Sequence, residues 1–188
     1  EFKAREVASM MAKSAVRLID RVSVASVLVP EQVQDGSWTL RILASFSSDE
    51  NLKAIYDEQG AVDLSRGKSL IAQYVNDQGI IDDDRLLRPL FIDDLKRYTL
   101  QKPALTETMG LRSMYVVPRF APDTRRIICL LNYFSRDLYR FSDFEMGLLQ
   151  THAEMVEHVI SEVAGENLEV QVLSEISDLL NERSENLQ

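Results

Sequence analysis

The sequence is poor in the residues from which metal, redox and nucleophile sites are usually built: it contains one cysteine, Cys129, and two histidines, His152 and His158. A single cysteine makes no internal disulfide, and Cys129 sits in the apolar run Ile127 to Leu131, which suits a packed thiol in a reducing compartment. The histidines fall six apart in a helical stretch, whereas joint metal binding on one helix face calls for a spacing of about four. Positive charge is also scarce. Twenty-one Lys and Arg against 30 Asp and Glu leave a net charge of -9 and a pI near 4.8, which argues against nucleic acid or an anionic membrane as partner. No apolar run approaches the roughly 20 residues of a membrane helix, and no signal peptide opens the chain. The composition therefore predicts a soluble, cytoplasmic protein.

Glycine and proline are sparse as well, at seven and five, while 45% of the residues are hydrophobic, enough to bury a core in 188 residues. The chain opens on Glu1-Phe2 without Met, and residues 181–188 remain compatible with a helix, so it reads as one module of a longer protein.

Apolar residues at helical spacing, Val7, Met10, Met11, Ala15, Val16 and Ile19, predict an amphipathic helix over Lys3 to Arg21. Val22 to Val29, an Asp35-Gly36 turn and the alternation from Trp38 to Phe46 predict a hairpin, with Pro30 near the end of its first strand. Ser47 and Glu50 form a capping-box pattern before a short helix, and a second helix is expected over Lys68 to Asn76, closed by Gly79. The Asp-rich stretch from Ile80 to Met109 contains Pro89 and Pro103 and reads as loops, an irregular helix and a short strand at Pro89 to Ile92, a segment suited to lidding a cavity. Strands follow at Ser113 to Phe120 and Arg126 to Phe134, around the Pro122-Asp123-Thr124 turn, and the unbroken apolar run of the second predicts a central strand. From Ser142, which pairs with Glu145 in another capping box, helical spacing runs past Val163 and resumes after Gly165 with Leu168, Val172, Leu173, Ile176, Leu179 and Leu180. A helix this long outruns a compact domain and implies a partner helix.

Several of these segments resemble GAF domains. Gly110-Leu111-Arg112-Ser113-Met114-Tyr115-Val116-Val117-Pro118 is similar to the family's strand of glycine, hydrophobic residue, Arg-Ser and, after three more residues, Val-Pro. Arg88-Pro89-Leu90-Phe91-Ile92-Asp93-Asp94 resembles the preceding strand. Ile128 to Phe134 and Phe141-Ser142-Asp143-Phe144-Glu145-Met146-Gly147-Leu148-Leu149 resemble the last strand and the start of the closing helix. The resemblance implies an α+β fold: a six-stranded antiparallel sheet with helices on both faces and long terminal helices that pair in a homodimer. It places a connector helix at residues 1–21, the domain at 22–163 and a signalling, coiled-coil-like helix at 164–188; Leu173 to Leu180 further resembles the helix that begins another such domain.

What the resemblance implies about function is a sensor that binds a small molecule and transmits its state through paired helices. The alternatives are a ligand-free structural dimerisation module and a GAF-fold methionine sulfoxide reductase. The last requires reactive cysteines with a resolving partner, which one strand cysteine does not supply, so no enzyme is expected. The elements expected to line the pocket carry Ser69, Asp93, Asp94, Tyr98, Thr106, Thr108, Arg112, Ser113 and Tyr115. Of these, Arg112 offers a fork for a carboxylate or phosphate, or else an ion pair with Asp93 or Asp94. Met11, Ile19, Val159, Leu168, Val172, Ile176 and Leu179 are the expected pairing and signalling positions.

Other motifs are explained without a cofactor. Arg66-Gly67-Lys68-Ser69 lacks the phosphate loop's earlier glycine, since Val62 stands there. Cys129 is followed by Leu130 within a strand, unlike a bilin-attachment cysteine, and the histidine spacing gives no support to haem or a two-histidine iron site. Asn132, Phe141 and Glu145 match only part of the signature of cyclic-nucleotide-binding members, and Asp82-Asp83-Asp84 reads as a solvated loop before a metal cage. The ligand's identity stays open.

Overall fold

The computed structural model describes residues 2–65, 69–97, 106–138 and 141–162. Its helices and strands run in the order α1 (Phe2–Leu18), β1 (Val24–Gln32), β2 (Trp38–Phe46), α2 (Glu50–Asp57), β3 (Ala61–Asp63), β4 (Leu90–Ile92), β5 (Ser113–Phe120) and β6 (Ile127–Ser135). A closing helix, α3, occupies residues 143–162. The strands form one six-stranded antiparallel sheet in the order β3-β2-β1-β6-β5-β4. β1 and β6 lie at its centre, as the unbroken apolar run of β6 requires of a strand covered on both faces.

Alternation along the strands divides the core into two layers. On one face Val24, Leu28, Leu40, Met114, Val116, Leu130 and Phe134 pack with Leu52 and Tyr56 of α2 and with the insert between β3 and β5. On the other, Ala25, Val27, Tyr115, Val117, Cys129, Leu131 and Tyr133 pack with α1 and α3. These two layers are called the insert face and the helix face below.

α1 buries a line of small residues, Ala8, Ala12 and Ala15, continued by Val16 and by Ile19 just beyond the helix. Of the stripe expected from periodicity, Ala15, Val16 and Ile19 are buried and Val7 and Met11 half-buried, while Met10 is 60% exposed. Alanine wins the inner face because it lets the helix backbone approach the sheet closely, at no side-chain entropy cost. α3 is tied down by Leu149, Ala153 and Val156 and by three polar contacts. Tyr133 Oη donates to the carbonyl of Leu149 at 3.3 Å, Gln150 Nε2 donates to Tyr115 Oη at 2.9 Å, and Arg119 pairs with Glu157. Its N-terminus carries the expected capping box: Glu145 accepts from the backbone N–H of Ser142 at 2.7 Å, and Ser142 Oγ from that of Glu145 at 3.3 Å.

Three local expectations are corrected. The cap of α2 is Asp49, whose side chain accepts from the N–H of Leu52, while Ser47 Oγ accepts from the N–H of Asp49 itself. The helix expected over Lys68 to Asn76 is reduced, among the described residues, to a single 3₁₀ turn, Ile71–Gln73. Val75 leaves it for a β-bridge with Ile81, and Gly79, at φ +73°, turns the chain between Asn76 and Ile80 instead of closing a helix. β3 was not foreseen at all; it has only three residues and pairs with Thr39 to Arg41.

Candidate functional site

The insert face carries a partly open cavity of about 90 Å³ between the centre of the sheet, α2, β3 and the segment from Ser69 to Ile71. Ile42, Val62, Leu70, Leu95, Met114 and Phe134 give it a mainly apolar wall. Four polar side chains, those of Gln59, Asp63, Ser69 and Asn132, reach its lining, together with the phenol of Tyr56.

Most of these polar groups are already engaged. Ser69 Oγ donates to the carbonyl of Asp63 at 2.9 Å and accepts from the N–H of Ala72 at 3.1 Å, closing the turn that walls the cavity. Asp63 accepts from the N–H of Ser65 at 2.8 Å, and Gln59 Nε2 donates to the carbonyl of Ile55 at 3.4 Å. Tyr56 Oη and Ser26 Oγ share a hydrogen bond of 2.8 Å inside the core. Burial pushes the Tyr56 phenol up to about 12, against the opposing effect of hydrogen bonds from Ser26 and Asn132, so it is neutral throughout the physiological range.

Asn132 is the remaining polar side chain of the lining. It lies on β6 opposite Ser26 of β1 and Val116 of β5, is 3% exposed, and its Oδ1 has no hydrogen-bond partner. The Oδ1 atom has no accessible surface, and the Asn132 amide stands beside Tyr56 Oη, with which it hydrogen-bonds.

Of the pocket residues expected from sequence, Ser69 alone among those described lines this cavity. Ser113 and Tyr115 point to the helix face: Ser113 Oγ donates to the carbonyl of Asp137 at 2.9 Å, and Tyr115 packs on Phe141 and Tyr133. Their neighbours Met114 and Val116 face the insert, so choosing both odd-numbered residues of β5 was an error of strand parity. Arg112 sits 3.5 Å from Asp94 in the ion pair that was its alternative reading. Asp93 is exposed and pairs with Arg97, while Thr106 and Thr108 occupy a surface turn. Tyr98 and the run Arg66-Gly67-Lys68 lie outside the described residues, as do Leu168, Val172, Ile176 and Leu179.

The expected pairing positions that are described also separate. Ile19 is 3% exposed and belongs to the helix-face core, so it is a packing residue and not a pairing one. Met11 and Val159 are half-buried. Exposed apolar side chains instead appear at Met10 and Leu18 of α1 and at Phe144 and Met155 of α3, with Phe144 80% exposed.

Several other chemistry-bearing groups among the described residues are occupied structurally. Cys129 is fully buried in β6, and burial pushes its thiol up to about 12, helped by the nearby Glu157 carboxylate, which keeps it protonated and unreactive at neutral pH. Asp83 caps the 3₁₀ turn Asp84–Leu87 and is held down to about 2 by hydrogen bonds from Arg85; Asp84 pairs with Arg125 at 2.8 Å. Phe141 packs in the helix-face core and Glu145 serves the cap, so neither joins Asn132 at the cavity.

This is the GAF fold: a six-stranded antiparallel sheet with terminal helices on one face and an irregular insert over a cavity on the other. No known family's sequence profile and no curated protein matches the chain. Solved structures do. A GAF domain/HD domain protein from Geobacter sulfurreducens superposes with a TM-score of 0.62 at 15% identity, covering 85% of this chain and 93% of the other. A domain of a two-component sensor histidine kinase protein from Sinorhizobium meliloti gives 0.58 at 16%, over 88% and 96%. A type II free methionine-R-sulfoxide reductase from Thermoplasma acidophilum gives 0.61 at 15%, over 85% and 93%. At these identities the likeness is one of fold.

Proposed function

We propose that this chain is the cytoplasmic input module of a signalling protein, in which occupancy of the insert-face cavity alters the pose of α1 and α3. Those helices pair with their counterparts in a second copy and pass the state to an output domain beyond the chain. In this reading residues 1–21 connect, 22–163 sense and 164–188 transmit.

One observation carries the proposal. Asn132 and Tyr133 are neighbours on β6, yet the first faces the cavity and the second hydrogen-bonds the backbone of α3. A ligand that pulls on Asn132 therefore acts on a rigid central strand whose next residue holds the closing helix. Population shift between two helix poses needs only such a differential contact. The exposed Phe144, Met155 and Met10 supply the apolar surface on which paired helices would close. Among the described residues no helix is long and apolar enough to cross a membrane.

A purely structural dimerisation module is the second reading, favoured by the small size of the cavity. A reductase is disfavoured by the buried, protonated Cys129, the chain's single thiol. Analytical ultracentrifugation at tens of micromolar tests the pairing. A dimer that Phe144→Asp with Met155→Asp converts to monomer, with an unchanged melting temperature, supports it. A monomeric wild-type chain, or a dimer indifferent to both substitutions, refutes it. An assay with free methionine sulfoxide and a thiol reductant that showed turnover would restore the enzyme.

A further inference from the structure

We infer that two copies pair crosswise, α1 of one lying on α3 of the other, and that the opposite charges of these helices set that arrangement. The inference rests on the reading of α1 and α3 as the pairing helices and names which meets which.

Charge separates the two helices. Lys3, Arg5, Lys13 and Arg17 against Glu6 leave α1 at +3, in a chain whose net charge is -9. Residues 143–162 of α3 carry Asp143, Glu145, Glu154, Glu157 and Glu162 with no Lys or Arg, a net -5. Part of this charge is engaged inside the protomer: Glu145 caps α3, Glu157 pairs with Arg119, and Lys13 stands 5.8 Å from the centre of the Phe46 ring. The outward charges are left over. Arg17 and Asp143 are exposed and, among the described residues, have no ion-pair partner. Glu154 keeps 63% of its side chain in solvent, with Arg119 only at 3.9 Å.

Periodicity sets these charges beside the exposed apolar side chains. Eleven residues make about three helical turns, so Phe144 and Met155 share a line along α3, and each follows an acid, Asp143 and Glu154. Seven residues make about two turns, so Met10 and Arg17 share a line along α1, with Leu18 next to Arg17. Laying α3 on α3 would face carboxylates with carboxylates, and laying α1 on α1 would face cations with cations. The crosswise contact opposes unlike charges and still joins apolar surface to apolar surface. Topology aligns the ends as well. Val24 of β1 pairs with Phe134 of β6, so α1 ends and α3 begins at the same end of the sheet. A two-fold axis along the helices then brings Arg17 and Leu18 of one copy level with Asp143 and Phe144 of the other.

Sedimentation of the whole chain as NaCl rises from about 50 mM to about 500 mM reads the sign of the contact. Crosswise pairing predicts a dimer that weakens several-fold as salt screens it, whereas like-on-like pairing predicts one that tightens. Arg17→Glu and Asp143→Lys should each weaken the dimer about tenfold, because each contact occurs twice in a two-fold interface, and both changes in one chain should return it to within about threefold of wild type. If a variant fails to fold by circular dichroism, the salt series of the wild-type chain still decides. A dimer that tightens with salt or ignores it, single variants that leave it unchanged, or a combined variant no tighter than the single ones overturns the crosswise arrangement and leaves the pairing itself standing. A chain that stays monomeric at every salt concentration removes the pairing, and the crosswise arrangement with it.

Discussion

Removing the Tyr56 hydroxyl should destabilise the protein more than the loss of a single surface hydrogen bond, and restoring the balance at Ser26 should recover most of the loss. Tyr56 Oη and Ser26 Oγ meet at 2.8 Å, and both residues are at most 3% exposed. In Tyr56→Phe the Ser26 hydroxyl stays buried with no partner, a penalty of about 1–3 kcal/mol. Ser26→Ala leaves the phenol its hydrogen bond with Asn132 and should cost less. When both are removed the Ser26 orphan is gone, so the double variant should cost less than the two single losses combined by about 1 kcal/mol or more. For a chain of this size each kcal/mol moves the melting temperature by about 2–4 °C, within reach of calorimetry and urea titration. Alkaline pH offers a second readout. The folded phenol is raised from 10.0 to about 12, so its contribution is intact below pH 10 and is lost as pH rises from 10 through 12. Tyr56→Phe should blunt that loss. Additive single effects, or single variants each within about 0.5 kcal/mol of wild type, would refute the idea that this pair is a sealed hydrogen bond in the core.

Three further outcomes follow from the helix face. Ala12→Leu should destabilise by about 1–3 kcal/mol, because Ala12 is 3% exposed between α1 and the sheet, whereas Met10→Ala, on the exposed side, should change monomer stability by less than about 0.5 kcal/mol; thermal melts distinguish the two. Burial lowers the pKa of His152 below its ordinary 6.5, so the folded state disfavours its protonation. Stability should thus be full above pH 6.5 and fall as pH drops below it toward the folded value, and His152→Gln should flatten that part of the pH–stability curve measured by urea titration. Cys129 should resist an aromatic disulfide reagent at pH 8 in the folded protein and react within the dead time once unfolded; prompt labelling of the native chain would contradict its burial.

Strands β1, β2, β5 and β6 were legible because alternation, the Asp35-Gly36 turn and the Pro122 to Thr124 turn are strong local signals, and the family-like order of the motifs led to the right fold. The Ser142 cap was legible for the same reason. α1 was located correctly and Ala15, Val16 and Ile19 of its expected face are buried, but Met10 is exposed, and Ala8 and Ala12 were missed because a pattern that rewards bulk overlooks alanines that allow close approach. β3 is too short to leave a periodicity, and the insert is held by turns whose hydrogen bonds, such as Ser69 to Asp63, join residues with no regular spacing.

The site was harder to see than the fold. Ser113 and Tyr115 were selected for polarity without regard to the face each residue takes on β5. Asn132 was noticed only as half of a motif, yet a lone amide between Leu131 and Tyr133 in the most apolar strand of the chain was itself the signal. Tyr56 and Ser26 are 30 residues apart and become partners only when α2 folds over β1, which no local pattern predicts.

The sheet ends on both sides in strands of three residues, Ala61–Asp63 and Leu90–Ile92. So brief a border offers an incoming chain too few backbone groups to lengthen the sheet. Growth of this protein into a larger assembly by strand addition is thereby discouraged from either side.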